Sequence, residues 1–158
     1  MKPVYSDIKL KTGGHSSGIC KIEIASITTI NADIVRDFAT GSILLPVSLT
    51  GVLHSISFPG NNLKYSEKAK ASKAGDYYEI SIQGTLSALD AEVKSILETL
   101  RFEKLLVIVS EPNKIKRLVG DRTDGMKLTY SNENNSSSSQ IGIELFMNSE
   151  LPAAYYTA

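Results

Sequence analysis

The strongest constraint in this sequence is the run Leu105-Leu106-Val107-Ile108-Val109, five apolar residues without a polar interruption. A strand with one wet face alternates apolar and polar side chains, whereas an unbroken aliphatic run leaves no face for water. Residues 105–109 therefore read as a central strand covered on both sides. Just before it, Leu89, Val93, Ile96, Leu97 and Leu100 recur at the spacing of one helical stripe. Ser87 can cap the first turn, Asp90 and Glu92 suit its positive end, and Arg101 and Lys104 suit its negative end. The spacing predicts one amphipathic helix over about 87–101, sharing a core with the strand that follows.

Elsewhere the pattern has a period of two. Cys20, Ile22 and Ile24 alternate with Lys21 and Glu23, as in a strand with one buried face. Residues 43–49 read as a strand interrupted by Pro46, which suits an edge or a bulge. Val52, His54, Ile56 and Phe58 share a face opposite Leu53, Ser55 and Ser57. The turn signal Pro59-Gly60-Asn61-Asn62 follows, and then Leu63, Tyr65 and Ala69 oppose Lys64, Ser66, Lys68 and Lys70. A long, solvated hairpin arm over 51–71 is expected. Further strands are marked by Tyr78, Ile80 and Ile82, by residues 115–119, by Met126, Leu128 and Tyr130, and by Ile141, Ile143, Leu145 and Met147. The Ser/Asn-rich tract 132–139 has nothing to bury and reads as a long hairpin loop. About eight strands and one helix make an α+β domain, mainly antiparallel and sandwich- or barrel-like. At 158 residues one core suffices, so a single domain over 1–158 is expected, with an N-terminal arm at 1–18 and a C-terminal tail at 151–158.

Seventeen basic residues balance seventeen acidic ones. That removes the broad positive field of a dedicated nucleic-acid binder, and it leaves little self-repulsion between copies. The single cysteine, Cys20, makes no intramolecular disulfide and no zinc site. The N-terminus lacks the apolar run of a signal peptide and no window has the ~20 apolar residues of a membrane span, so a cytoplasmic origin and no membrane partner are expected.

Each approach to a chemical motif fails at the working residue. Gly13-Gly14-His15-Ser16-Ser17-Gly18 has the glycine spacing of a phosphate loop, but Ile19 and Cys20 stand where Lys and Ser or Thr are needed. Asp121, Thr123, Asp124 and Gly125 resemble part of a calcium loop, yet the glycine comes one place early and Asn132 replaces the bidentate glutamate, so a tight turn is expected. His15 and His54 are the only histidines. His54 shares a face with Ile56 and Phe58, as a half-buried structural histidine does, and Cys20 reads as a small core residue. A catalytic set would have to join distant residues such as His54 with Glu79 or Asp90. The sequons at 134–137 mean nothing without secretion. No catalytic residues, metal ligands or cofactor are expected, and the chain does not read as an enzyme.

What remains are surfaces for other chains. Lys64, Lys68, Lys70 and Lys73 make a basic stripe around Glu67, which ordinarily guards an edge strand from unwanted pairing and can also meet an acidic partner. Tyr65 in the same segment, and Tyr155 and Tyr156 in the tail, are the aromatic anchors that interfaces favour. Lys64, Tyr65, Lys68, Lys70, Tyr155 and Tyr156 are the interface candidates.

The run from Leu105 to Lys114, then Arg117-Leu118-Val119-Gly120, the small-residue loop and the close Ile141-Gly142-Ile143-Glu144-Leu145 to Tyr156 resemble virion structural proteins of phages and prophages of Bacteroides-like hosts. So do residues 20–49, with Arg36-Asp37-Phe38-Ala39-Thr40-Gly41 before an apolar strand. The likeness lies in strand order and turn placement. It implies a tail or neck component: a connector, tail-tube or tail-completion subunit in a ring of six or twelve copies, contacting other virion proteins while DNA passes transiently. Such a protein is assembled in the host cytoplasm and ends in the virion. The other reading is a free-standing protein- or ligand-binding module of a bacterial host, using the groove between helix and sheet.

Overall fold

The structure, a computed structural model, describes residues 4–7, 20–29, 52–58, 62–86, 91–110, 116–121, 123–134 and 139–155. These form ten strands, one α-helix and one turn of 3-10 helix, Ile27–Thr29. With strands numbered along the chain, one sheet runs β1 (Val4–Asp7), β3 (Val52–Phe58), β2 (Cys20–Ser26), β6 (Leu105–Ser110), β7 (Lys116–Val119) and β10 (Ala154–Tyr155). The other runs β4 (Leu63–Ser72), β5 (Gly75–Leu86), β9 (Ser139–Ser149) and β8 (Lys127–Asn134). Helix α1 (Ala91–Arg101) joins β5 to β6. Only β1 and β3 pair in parallel among the described strands, so the fold is a mainly antiparallel α+β sandwich.

Strand β6 buries both faces, as its composition requires. Leu105, Val107 and Val109 enter the apolar layer between the sheets, while Leu106 and Ile108 join Ala25, Leu53 and Leu118 on the reverse. β2 departs from the expected single buried face. Ile22 and Ile24 enter the main layer, but Glu23 on the other side is only 8% exposed and Ala25 1%. Glu23 meets Lys21 at 3.5 Å, which keeps its charge paired where water is scarce.

The four-stranded sheet alternates. Ile80, Ile82 and Leu86 of β5, Ile141, Ile143, Leu145 and Met147 of β9, and Leu128 of β8 point into the shared layer. Gly84 lies opposite Phe58 of the other sheet, whose ring occupies the place where a Cβ would stand. Only a residue without a side chain lets that ring lie so near the β5 backbone. α1 packs against β8 with Val93, Leu97 and Leu100 buried, and the Tyr130 hydroxyl donates to the Glu98 carboxylate. The sheets meet at a corner where Leu105 and Met126 exchange backbone hydrogen bonds of 2.9 and 2.8 Å. Gly120, at φ 101°, supplies the left-handed turn that leads the chain from β7 towards that corner.

Two expectations need correction. The hairpin over 51–71 does not form, because β3 and β4 belong to different sheets and β4 pairs with β5. Ile56 and Phe58 reach the apolar layer from one side and Leu63 and Tyr65 from the other, so a change of sheet buries both sets. The loop over 132–139 is shorter than expected: pairing of β8 with β9 continues through Asn132↔Ile141 to Asn134↔Ser139. A ladder already fixed by apolar neighbours extends through polar residues whose own strand preference is weak. Within the arm 1–18, Val4–Asp7 is a strand held against β3, and within the tail 151–158, Ala154–Tyr155 is a strand held against β7. Ser87, Leu89 and the strand at 43–49 fall outside the described residues.

Candidate functional site

The lysines and tyrosines proposed as an interface are divided by the pleat. Lys64, Lys68 and Lys70 stand exposed on the outer face of β4, an edge strand. Tyr65 points the other way, packs against the core and donates to Glu67 Oε2 at 3.3 Å. The Arg117 guanidinium lies 5.4 Å from the Tyr65 ring centre and 3.7 Å from the same Glu67 oxygen, while Glu67 Oε1 accepts the Ala153 N–H at 3.0 Å. Tyr65 is thus part of a clasp that ties β4 to β7 and to the segment before β10. The Tyr155 backbone pairs with Arg117. Tyr156 is outside the described residues.

The lysines continue onto a projecting arm. β5 pairs with β9 only as far as Tyr78↔Ser149, but β4 and β5 stay paired to Ser72↔Gly75. Past Tyr78 the hairpin has two strands and no further neighbour among the described residues, and residues 68–76 are all exposed. Lys68 faces Glu79 and Lys70 faces Tyr77, while Lys73 stands in the turn.

At the other end of the same sheet the outer face is hollowed. Lys64, Gln83, Glu144 and Thr129 lie side by side across all four strands, and Thr85, Gly142 and Ser131 form the next row. Together with Asn62 they line an open trough of about 540 Å³. Its lining is more polar than apolar, and at Gly142 the floor carries no side chain, with the Ser131 hydroxyl beside the place a Cβ would take. Phe146, 43% exposed, stands one row away between Ser81 and Lys127. None of these residues belongs to a sequence motif. Alternation alone puts Gln83, Thr129 and Glu144 on polar faces, but only the register places them in one row.

The near-motifs are used structurally. Asp121 Oδ1 accepts from Thr123 N, Thr123 Oγ1 and Asp124 N at 2.8 to 2.9 Å, and Asp124 Oδ1 accepts from Gly125 N at 2.9 Å and faces Lys104 Nζ at 3.2 Å. The turn is therefore built by the carboxylates that a calcium ion would need. Among the described residues no group of three His, Cys, Asp or Glu is placed to hold a metal. His54 is half-buried, its Nδ1 is buried without a hydrogen-bond partner among the described residues, and burial lowers its pKa against the opposing pull of Glu103. Glu79 lies in the other sheet, on the face turned away from the shared core, so the structure does not bring it to His54. The phosphate-loop glycines and Asp90 lie outside the described residues. Val93, Leu97 and Leu100 of α1 pack into the shared core, and the trough lies on the outer sheet face.

No helix among the described residues is long and apolar enough to cross a membrane. Neither family models, curated proteins nor solved structures give a match to this chain.

Proposed function

We propose that this chain is a structural subunit that self-associates, and that it is the ring-forming virion component of a phage tail or neck implied by the resemblance above. The observation that carries the reading is the two-stranded arm beyond Tyr78, with residues 68–76 exposed. A two-stranded hairpin is at best marginally stable in water, so an arm of this kind is best explained by a second surface that receives it. Among the described residues β4 ends its sheet, and its exposed stretch from Lys68 to Ser72 is placed for strand addition by a neighbour, with Lys68, Lys70 and Lys73 giving the arm a charge to match. In this reading the partners are further copies, six or twelve to a ring, and other virion proteins, and DNA passes transiently without sequence-specific contact. The protein acts without catalysis and without a cofactor, and it is assembled in the host cytoplasm into the virion.

Native mass spectrometry of the full chain at micromolar concentration tests this. A closed oligomer is expected, and Lys68→Glu with Lys70→Glu and Lys73→Glu should shift it to monomer while the melting temperature stays within a few degrees. A wild-type chain that is monomeric throughout, or an oligomer untouched by the triple change, sinks the reading.

A further inference from the structure

We propose that the trough on the outer face of the four-stranded sheet is a binding site for a neutral, polyhydroxylated ligand: a saccharide of one or two rings. This inference is independent of self-association, because it concerns the end of the sheet away from the arm.

The argument begins with charge. One cation, Lys64, and one carboxylate, Glu144, stand in the same row with Gln83 between them. Adjacent strands are about 4.8 Å apart, so the two charges sit on positions roughly 10 Å from each other and are not paired. An anion attracted to Lys64 meets Glu144, and a cation attracted to Glu144 meets Lys64. The balance suits an uncharged ligand. The lining suits a mixed ligand better than a purely apolar one, because its polar atoms outweigh the methyl and methylene groups that Thr85, Thr129, Lys64 and Gln83 set beside them.

Hydrogen-bonding capacity comes next. The planar groups of Gln83 and Glu144 each present two atoms side by side, a geometry that matches a pair of neighbouring hydroxyls, and Thr129 and Ser131 add groups that both donate and accept. Lys64, Gln83, Glu144, Thr129 and Ser131 take part in no side-chain hydrogen bond or ion pair among the described residues. Their capacity is open to a ligand. The volume of about 540 Å³ falls within the roughly 300–1,000 Å³ of small-molecule sites, and Gly142 adds no side chain to the floor beside the Ser131 hydroxyl.

Phe146 supplies the last component. It follows Glu144 by two residues on β9, so both lie on the outer face, and it is one of three large apolar side chains exposed among the described residues. An aromatic ring beside a neutral polar trough offers a flat apolar surface to the C–H face of a sugar while the hydroxyls at its rim reach Gln83 and Glu144.

The test is titration of the full-length, isotope-labelled protein with glucose, galactose, N-acetylglucosamine, maltose and lactose, followed by amide chemical shifts, with inorganic phosphate as the charged control. At least one sugar should saturate with shifts confined to the rows around Gln83, Thr129, Gly142 and Glu144. Glu144→Ala should weaken it about tenfold, as for loss of a charge-assisted hydrogen bond. Gly142→Leu fills the trough and should abolish binding, and Phe146→Ala should weaken it; circular dichroism verifies that each variant is folded. The inference is overturned by no saturable shift with any of the five sugars, by shifts that map elsewhere, by binding indifferent to Glu144→Ala and Gly142→Leu, or by phosphate binding the trough more tightly than the sugars do.

Discussion

In the six-stranded sheet, β6 sends Leu105, Val107 and Val109 to one side and Leu106 and Ile108 to the other, and all five are buried. In the four-stranded sheet, β9 buries Ile141, Ile143, Leu145 and Met147 and leaves Glu144 and Phe146 exposed between them and Asn148 exposed after them. Both sheets feed the same apolar layer, yet one spends both its faces on stability and the other keeps one face for water. What can be varied without loss of the fold is concentrated on the second: the arm and the trough both lie there. The clasp of Glu67, Arg117 and Tyr65 lies on its inner side and belongs to the architecture.

The comparison breaks most directly at β6. Leu106→Ala should destabilise by about 2–5 kcal/mol, as for a buried leucine truncated in a close-packed site, whereas Thr129→Ala on the outer trough face should stay within ~0.5 kcal/mol. Urea denaturation of the two variants decides, and equal losses would remove the distinction between the sheets.

A second test acts where the sheets touch. Gly84→Val puts a branched side chain where the Phe58 ring already stands, and overpacking of that kind costs about 1–3 kcal/mol. Combining Gly84→Ala with Phe58→Leu should cost less than the sum of the single changes, measured as a double-mutant cycle by thermal melting. Strict additivity would mean that the two residues do not share the space.

The clasp gives a more local effect. Glu67→Ala removes the acceptor of the Ala153 N–H, the carboxylate that the Tyr65 hydroxyl donates to and one carboxylate beside Arg117, a loss of about 1–3 kcal/mol. Hydrogen exchange should show Ala153 and the β10 amides opening ahead of β6. Uniform acceleration over the whole molecule would instead make the clasp part of the global core.

The smallest effect is the dependence on pH. Burial holds the His54 pKa below its ordinary 6.5, so the unfolded chain binds the proton more readily than the folded one. Stability from this group is complete above pH 6.5 and declines as pH falls through the lower folded value. Melting curves should shift down on acidification through that window, and His54→Gln should flatten this part of the profile. An unchanged profile in the variant would assign the acid response to carboxylates.

Much of the fold was legible because it depends on burial, and burial is written in periodicity. The stripe Val93, Ile96, Leu97 and Leu100 could serve only one face of a helix, and the run at 105–109 could serve only a strand with two dry faces. The tight turn at Asp121 was legible for the same local reason, since its carboxylates bond to amides two and three residues on. Pairing was not legible. Periodicity says which face of a strand is wet but not which strand lies beside it, so β3 and β4 looked like the arms of one hairpin when they belong to different sheets. The same limit hid the clasp, where Glu67 and Ala153 are joined across 86 residues, and the trough, whose row of Lys64, Gln83, Glu144 and Thr129 comes from four strands. The kinds of element, the faces they bury and the turns made by neighbouring residues could be read from residue order, because they follow from solvation and short-range geometry. Register and sheet partnership emerge in the folded molecule alone, because they come from how the whole apolar surface packs at once.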